Sequence, residues 1–176
     1  MTEAGLTLRA AQADDAAGIA EIYNDAVRHS TAIWNDTVVD AGNRAAWLAA
    51  RVQDGFPVLV LTDAAGAVLA YGSFGPWRSF DGYRYTVEHS VYVRSDSRGM
   101  GLGRRMLAAL IDAARAQGRH VMVAAIDASN EASIALHRQL GFEESGVVRE
   151  AGFKFGRWLD LLFMRLQLDA RSVAER

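Results

Sequence analysis

The stretch Tyr85–Arg105, YTVEHSVYVRSDSRGMGLGRR, reads as a strand carrying a carboxylate that runs into a loop crowded with glycine and arginine. Side chains alternate across a strand, so Val87, His89, Val91 and Val93 are expected on one face and Glu88, Ser90, Tyr92 and Arg94 on the other. Glu88 and Tyr92 then look into the same space. Past the strand, Arg98, Gly101 and Gly103 form an RxxGxG pattern directly before GLGRRMLAALIDAARAQG, whose Leu102, Met106, Leu107, Leu110 and Ile111 share one helical face. Glycine lets a backbone approach a ligand closely and adopt positive φ, and the first N–H groups of a helix have no partner within it. Taken alone, glycines at a strand–helix junction are more often a plain tight turn, and the pattern also fits an anion site of pyrophosphate size with Arg98, Arg104 or Arg105 adding charge. It is not a P-loop, which would end in Lys followed by Ser or Thr where Arg104 and Arg105 stand. Nor does it sit where a dinucleotide fingerprint belongs, in the first strand–helix unit of a parallel sheet.

The rest of the chain supplies the neighbours of this unit. LTLRAA alternates as a first strand, and ADDAAGIAEIYNDAVRHS follows as a helix with Ile19, Ile22, Tyr23, Ala26 and Val27 on one face. Asp40 is placed to cap a helix through AGNRAAWLAARV. PVLVLTDAAGAVLAYGSF reads as two strands around a turn at Ala64 to Gly66. After the glycine loop and its helix, which stops at Gly118, the apolar run HVMVAAI returns as a buried strand. Asn130 opens a further helix that ends at Gly141, with Ser133 and His137 on one face, and SGVVREAG and WLDLLFMRLQL close the chain as strands. This order suits a mixed sheet with helices on both faces.

Composition narrows the function classes. The 176 residues, with 51% hydrophobic content and two prolines, are expected to form one domain over 1–176. A formal net charge of -2 gives no global field for nucleic acid or anionic lipid, so neither is expected as a partner. The absence of cysteine excludes disulfides, thiolate metal sites and a cysteine nucleophile. His29, His89 and His120 have no ligand spacing with one another, so no metal is expected. No signal-like lead or membrane-length apolar run is present, which points to a cytoplasmic location with no membrane partner.

Strand, glycine-rich loop, helix, strand and Asn-capped helix ending in GF, at these spacings, resemble the GCN5-related N-acetyltransferase (GNAT) family from about Leu6 to Leu168, most specifically over Glu88 to Phe142. GPWRSFDGYRYTVEHSVYV and AGFKFGRWLDLLFM resemble the branch of phosphinothricin and methionine sulfoximine or methionine sulfone acetyltransferases. The resemblance implies an α/β (α+β) fold with a central mixed, mostly antiparallel twisted sheet of six to seven strands flanked by about four helices. It implies transfer of an acetyl group from acetyl-CoA to the α-amine of a small amino-acid analogue by a homodimer. Arg98, Gly99, Met100, Gly101, Leu102, Gly103 and Arg104 match the segment that binds the CoA pyrophosphate. Backbone groups of Tyr92 and Val93 match the part that pairs with pantetheine, and Asn130 and Ser133 match contacts to the cofactor arm. Glu88 and His137 match the pair given acid–base roles in this branch. One departure bears on substrate: where the phosphinothricin enzymes tend to carry a second basic residue after GPW, this chain reads Trp77, Arg78, Ser79, Phe80. Less positive charge should favour a neutral sulfone or sulfoximine over an anionic phosphinate.

The chemistry needs a base, because an α-amine with a pKa near 8 is mostly protonated at neutral pH and attacks a thioester only when neutral. Glu88 is the candidate, with its pKa expected to be raised by burial. His137 is the candidate proton donor to the leaving thiolate, and a backbone N–H near Tyr92 or Val93 is placed to polarise the thioester carbonyl. Arg78 is expected to grip substrate oxygens with Lys154 as a point charge nearby, while Trp34, Phe80 and Tyr83 pack the aliphatic part. Two other functions stay open on the sequence: a transferase of this fold acting on a protein N-terminus or another amine, and a non-catalytic acyl-CoA sensor.

Overall fold

The structure, a computed structural model, describes residues 5–171. Its elements run β1 (Thr7–Ala10), α1 (Ala16–His29), α2 (Ala41–Gln53), β2 (Val58–Thr62), β3 (Val68–Pro76), β4 (Thr86–Val93), α3 (Leu102–Ala116), β5 (Val121–Asp127), α4 (Glu131–Gln139), β6 (Glu143–Lys154) and β7 (Arg157–Gln167). Seven strands form one sheet in the order β1-β2-β3-β4-β5-β7-β6. Every neighbouring pair is antiparallel except β4 beside β5. The mixed sheet and the helices on both of its faces follow the sequence reading; short 3-10 turns at Ala13–Asp15, Asp81–Tyr83 and Ser95–Ser97 lay outside it.

Local signals explain where the helices begin and end. The Asp40 carboxylate accepts the Asn43 amide at 2.7 Å and the Asn130 side chain accepts the Ser133 amide at 3.1 Å, caps worth about 1 kcal/mol each. Gly118 takes a φ of 66° at the end of α3, the left-handed turn expected there. The helices then sort by face. Ile19 and Ile22 of α1 and Trp47 of α2 pack over Val60 and Tyr71, on the side toward which Glu88, Ser90 and Tyr92 point. Leu107, Leu110 and Ile111 of α3 and Ile134 of α4 pack on the opposite side against Phe74, Val87, Met122 and Met164. Met106, Leu107 and Leu110 are fully buried. Each contributes roughly 2 kcal/mol by burial.

One irregularity in the sheet positions everything functional. β4 pairs with β3 along its whole length, from Val87 to Val93, but with β5 only where Thr86, Val87 and Glu88 face Val121, Met122 and Val123. Beyond Glu88 the two parallel strands part, leaving the outer edge of β4 without a β5 partner. At the far side, β6 and β7 form a long hairpin closed by Phe155 and Gly156, both at positive φ (51° and 73°), the signature of a type I′ turn.

Candidate active site

The parting of β4 and β5 opens a cleft of about 740 Å³ bordered by Glu88, Tyr92, Arg98, Gly101, Asn130 and His137. At one end, Gly99 and Gly101 adopt φ values of 77° and 75°, and a side chain added at either would meet nothing within 4 Å. Among the described residues no side chain caps the start of α3, which leaves its leading amide groups without that partner. Such an open glycine turn ahead of a helix start has room for an anion. The arginines divide their tasks: Arg98 reaches Asp25 of α1 at 3.7 Å, Arg105 donates to the Leu6 carbonyl, and Arg104 is exposed beside the glycines. Tyr92 lies inward of this loop against Tyr71, with ring centroids 5.1 Å apart. Burial, and the neighbouring Tyr23, push its phenol up to about 12, so it stays neutral.

Glu88 stands at the last paired position before the strands separate and is half-buried. Desolvation raises its carboxyl above the ordinary glutamate value, and the charge of Arg78 offsets part of that rise. A carboxylate so placed is a better proton acceptor than a solvated one.

His137 meets a second histidine. Because residues alternate along β4, Glu88 points toward α1 and α2 while His89 points toward α4, and it is His89 that meets His137, with Nε2 atoms 3.1 Å apart and rings stacked at 5.1 Å. Glu88 and His137 both border the cleft, reaching it from opposite faces of β4. The protons can be assigned. His137 Nδ1 lies 2.7 Å from the Ser133 carbonyl, which can only accept, so Nδ1 carries the hydrogen. The neutral ring then accepts at Nε2 from the Nε2–H of His89, leaving His89 Nδ1 as a buried acceptor with no partner among the described residues. Burial and the facing His137 hold His89 down to about 3; burial lowers His137 as well, against the Ser133 carbonyl. His89 was missed in the sequence because it was weighed only as a metal ligand; its shared face with Val87 and Val91 was the available signal.

The residues expected around substrate fall into three places. Arg78 is exposed, its guanidinium 5.0 Å above the Trp77 ring. It lines a smaller depression of about 270 Å³ with Phe80 and Tyr83, where Tyr83 meets Trp77 edge-on at 5.2 Å and Phe80 is 75% exposed. Trp34 instead lies on the hairpin, where a side chain at Gly152 would come within 2.2 Å of its ring. Lys154 is a correction. Its side chain is 2% exposed and its ammonium donates to the carbonyls of Ser30, at 2.8 Å, and Ile33. Desolvation lowers its pKa against the pull of Asp36. It fastens the α1–α2 connection to β6, so its charge is already spent on backbone oxygens. Among the described residues no His/Cys/Asp/Glu group is arranged to hold a metal ion, and no helix is long and apolar enough to cross a membrane.

A sequence model of the acetyltransferase (GNAT) domain matches residues 8–163. The chain belongs to the GNAT acetyltransferase family. This GNAT chain is 62% identical over 168 residues to L-methionine sulfoximine/L-methionine sulfone acetyltransferase of Pseudomonas paraeruginosa, covering 96% of this chain and 98% of that one. Phosphinothricin N-acetyltransferase of Alcaligenes faecalis is 37% identical over 167 residues, covering 93% and 83%. The structure of yncA from Salmonella typhimurium with its cofactor acetyl-CoA matches at a TM-score of 0.94 and 56% identity, covering 97% and 98%. The GNAT cleft here fits such a cosubstrate on its own chemistry: uncapped amides and Arg104 for phosphate oxygens, then an open strand edge for amide groups.

Proposed function

We propose that the protein transfers the acetyl group of acetyl-CoA to the α-amine of small amino-acid analogues, methionine sulfoximine and methionine sulfone among them, and that it does so as a homodimer. The observation that carries this reading is Glu88, a half-buried carboxylate of raised pKa standing where β4 leaves β5. Acetyl-CoA supplies an activated acetyl thioester. The chain's part is to hold and to deprotonate. Backbone amides from Gly101 to Arg104, with Arg98, Gly99 and Met100 shaping the turn, bind the pyrophosphate; the free edge at Tyr92 and Val93 aligns the pantetheine amides; Asn130 and Ser133 border its path. Glu88, directly or through water, takes the ammonium proton of the substrate, and a β4 amide near Tyr92 stabilises the carbonyl oxygen as charge develops. His137, held neutral and hydrogen-bonded on both nitrogens, orients the α4 wall of the cleft.

Two features bear on the substrate and the assembly. Phe80 offers an apolar surface beside Arg78, which favours a neutral sulfone over a phosphinate. Val147, Val148, Phe153, Phe155 and Trp158 are each at least 50% exposed along the hairpin of edge strand β6, a surface that a second copy would cover. Release of CoA thiol against a panel of methionine sulfone, methionine sulfoximine and phosphinothricin tests the reading. Turnover of the sulfone and sulfoximine with weaker use of phosphinothricin is expected, and a clear preference for phosphinothricin refutes the Phe80 argument. Light scattering on the eluting protein should give twice the 19.1 kDa chain mass.

A further inference from the structure

The side of β4 that carries Glu88 continues across β3 and up to α2. Tyr71, Ser73 and Gly75 of β3 sit opposite Tyr92, Ser90 and Glu88 in register, so each pair presents side chains to the same face. Two side chains of α2 reach the β3 row of this face. Trp47 meets Tyr71 edge-on at 6.2 Å, and one helical turn further Arg51 reaches the position of Gly75. The contact is close: a Cβ added at Gly75 would lie 1.8 Å from Arg51 Nη1 and 2.7 Å from Cζ. The guanidinium therefore lies in the space left by the missing side chain of the residue opposite Glu88. Among the described residues it has no ion pair or side-chain hydrogen bond, although Arg51 is half-buried.

A guanidinium that no carboxylate in the fold engages keeps its planar fork available for an anionic ligand. Cβ atoms directly opposed across an antiparallel pair are about 5 Å apart. Arg51's fork is thus about 8 Å or less from the Glu88 Cβ, a span that one α-amino acid bridges with its ammonium on one group and its carboxylate on the other. The other two candidate cations are differently disposed. Lys154 is committed to two carbonyls, and Arg78, whose charge reaches Glu88, stands exposed on Trp77 in the smaller depression.

We propose that Arg51, whose guanidinium fills the space Gly75 leaves opposite Glu88, binds the α-carboxylate of the amino-acid substrate as a two-pronged donor and so makes the enzyme specific for α-amino acids over simple amines. The proposal rests on the acetyl-transfer reading above and names the substrate contact within it. Arg78 is then left for the sulfone or sulfoximine end.

The test compares methionine sulfone with its decarboxylated counterpart, 3-(methylsulfonyl)propylamine, in wild type, Arg51→Met, Arg51→Lys and Gly75→Ala. Taking the ratio of variant to wild type for each substrate cancels the higher pKa of the simple amine. Arg51→Met is expected to raise the KM for methionine sulfone by about a hundredfold, the loss of a bidentate charged hydrogen bond, while leaving the KM for the amine and for acetyl-CoA unchanged. Arg51→Lys recovers part of the loss, because a point charge replaces the fork. Gly75→Ala meets only the movable end of Arg51, so it should fold, displace the guanidinium and give the same selective loss. Unchanged turnover of the amine is the control for folding. An unaltered KM for methionine sulfone in Arg51→Met, or an equal loss on both substrates, overturns the assignment to Arg51 while leaving acetyl transfer intact. A wild type that acetylates no amino acid overturns the reading of function itself.

Discussion

Replacing Lys154 by methionine separates an anchor from a substrate contact. The stem keeps its length and apolar packing, so the change removes the ammonium alone and leaves the Ser30 and Ile33 carbonyls without their donor. A hydrogen bond from a charged group is worth about 1.5–3 kcal/mol, and the relief of the ammonium's own desolvation works against the two that are lost. A net loss of about 2–3 kcal/mol is expected. For a chain of this size that lowers Tm by about 5–10 °C. Thermal unfolding followed by circular dichroism measures it directly, with methionine sulfone kinetics run on the same samples. The reasoning fails if the variant melts with the wild type while the KM for the amino acid rises tenfold or more, because the ammonium would then be facing substrate.

Glu88→Gln is expected to lower kcat by about a hundredfold or more with the KM for acetyl-CoA unchanged, and to remove the acid limb of the pH profile, which in wild type lies above the ordinary glutamate value. The same variant should be more stable than wild type at neutral pH: the folded state holds this proton more tightly than the unfolded one, so wild type loses stability as pH rises through the raised pKa, and the two should converge in acid. For His89, held down to about 3 against 6.5 unfolded, the unfolded chain binds the extra proton between those values. Stability present above pH 6.5 should therefore fall progressively toward pH 3, and Tm measured across this window should show a shallower slope in His89→Gln. Gly101→Val forces a branched side chain into a φ of 75° and closes the open space beside it, which should raise the KM for acetyl-CoA about tenfold or more; an unaltered value would move the pyrophosphate elsewhere.

The order of strands and helices was legible because each element carries its own period and its own stop: Asp40 and Asn130 as caps, Gly118 after α3, alternation along β4. The glycine loop was legible for the same reason, since positive φ at Gly99 and Gly101 is a local property. What stayed hidden depends on register between distant segments. That His137 meets His89 follows from which face of β4 turns toward α4, and alternation alone assigns two faces without saying which helix covers each. Lys154 read as a free cation because its partners are carbonyls more than a hundred residues earlier, which leave no side-chain signature. Arg51 gave no signal in a helix of ordinary amphipathic pattern; its neighbour Gly75 is an unmarked strand glycine until α2 is laid across it.

The seam at Glu88 divides the sheet into two mechanical halves, four strands on one side and three on the other, zipped together at only three residues per strand. A ligand that hydrogen-bonds along the unzipped edge serves as an interloper strand, stitching the halves while it is present and loosening them when it leaves. A cosubstrate seated along that edge would add hydrogen bonds between halves that are otherwise joined through three residue pairs.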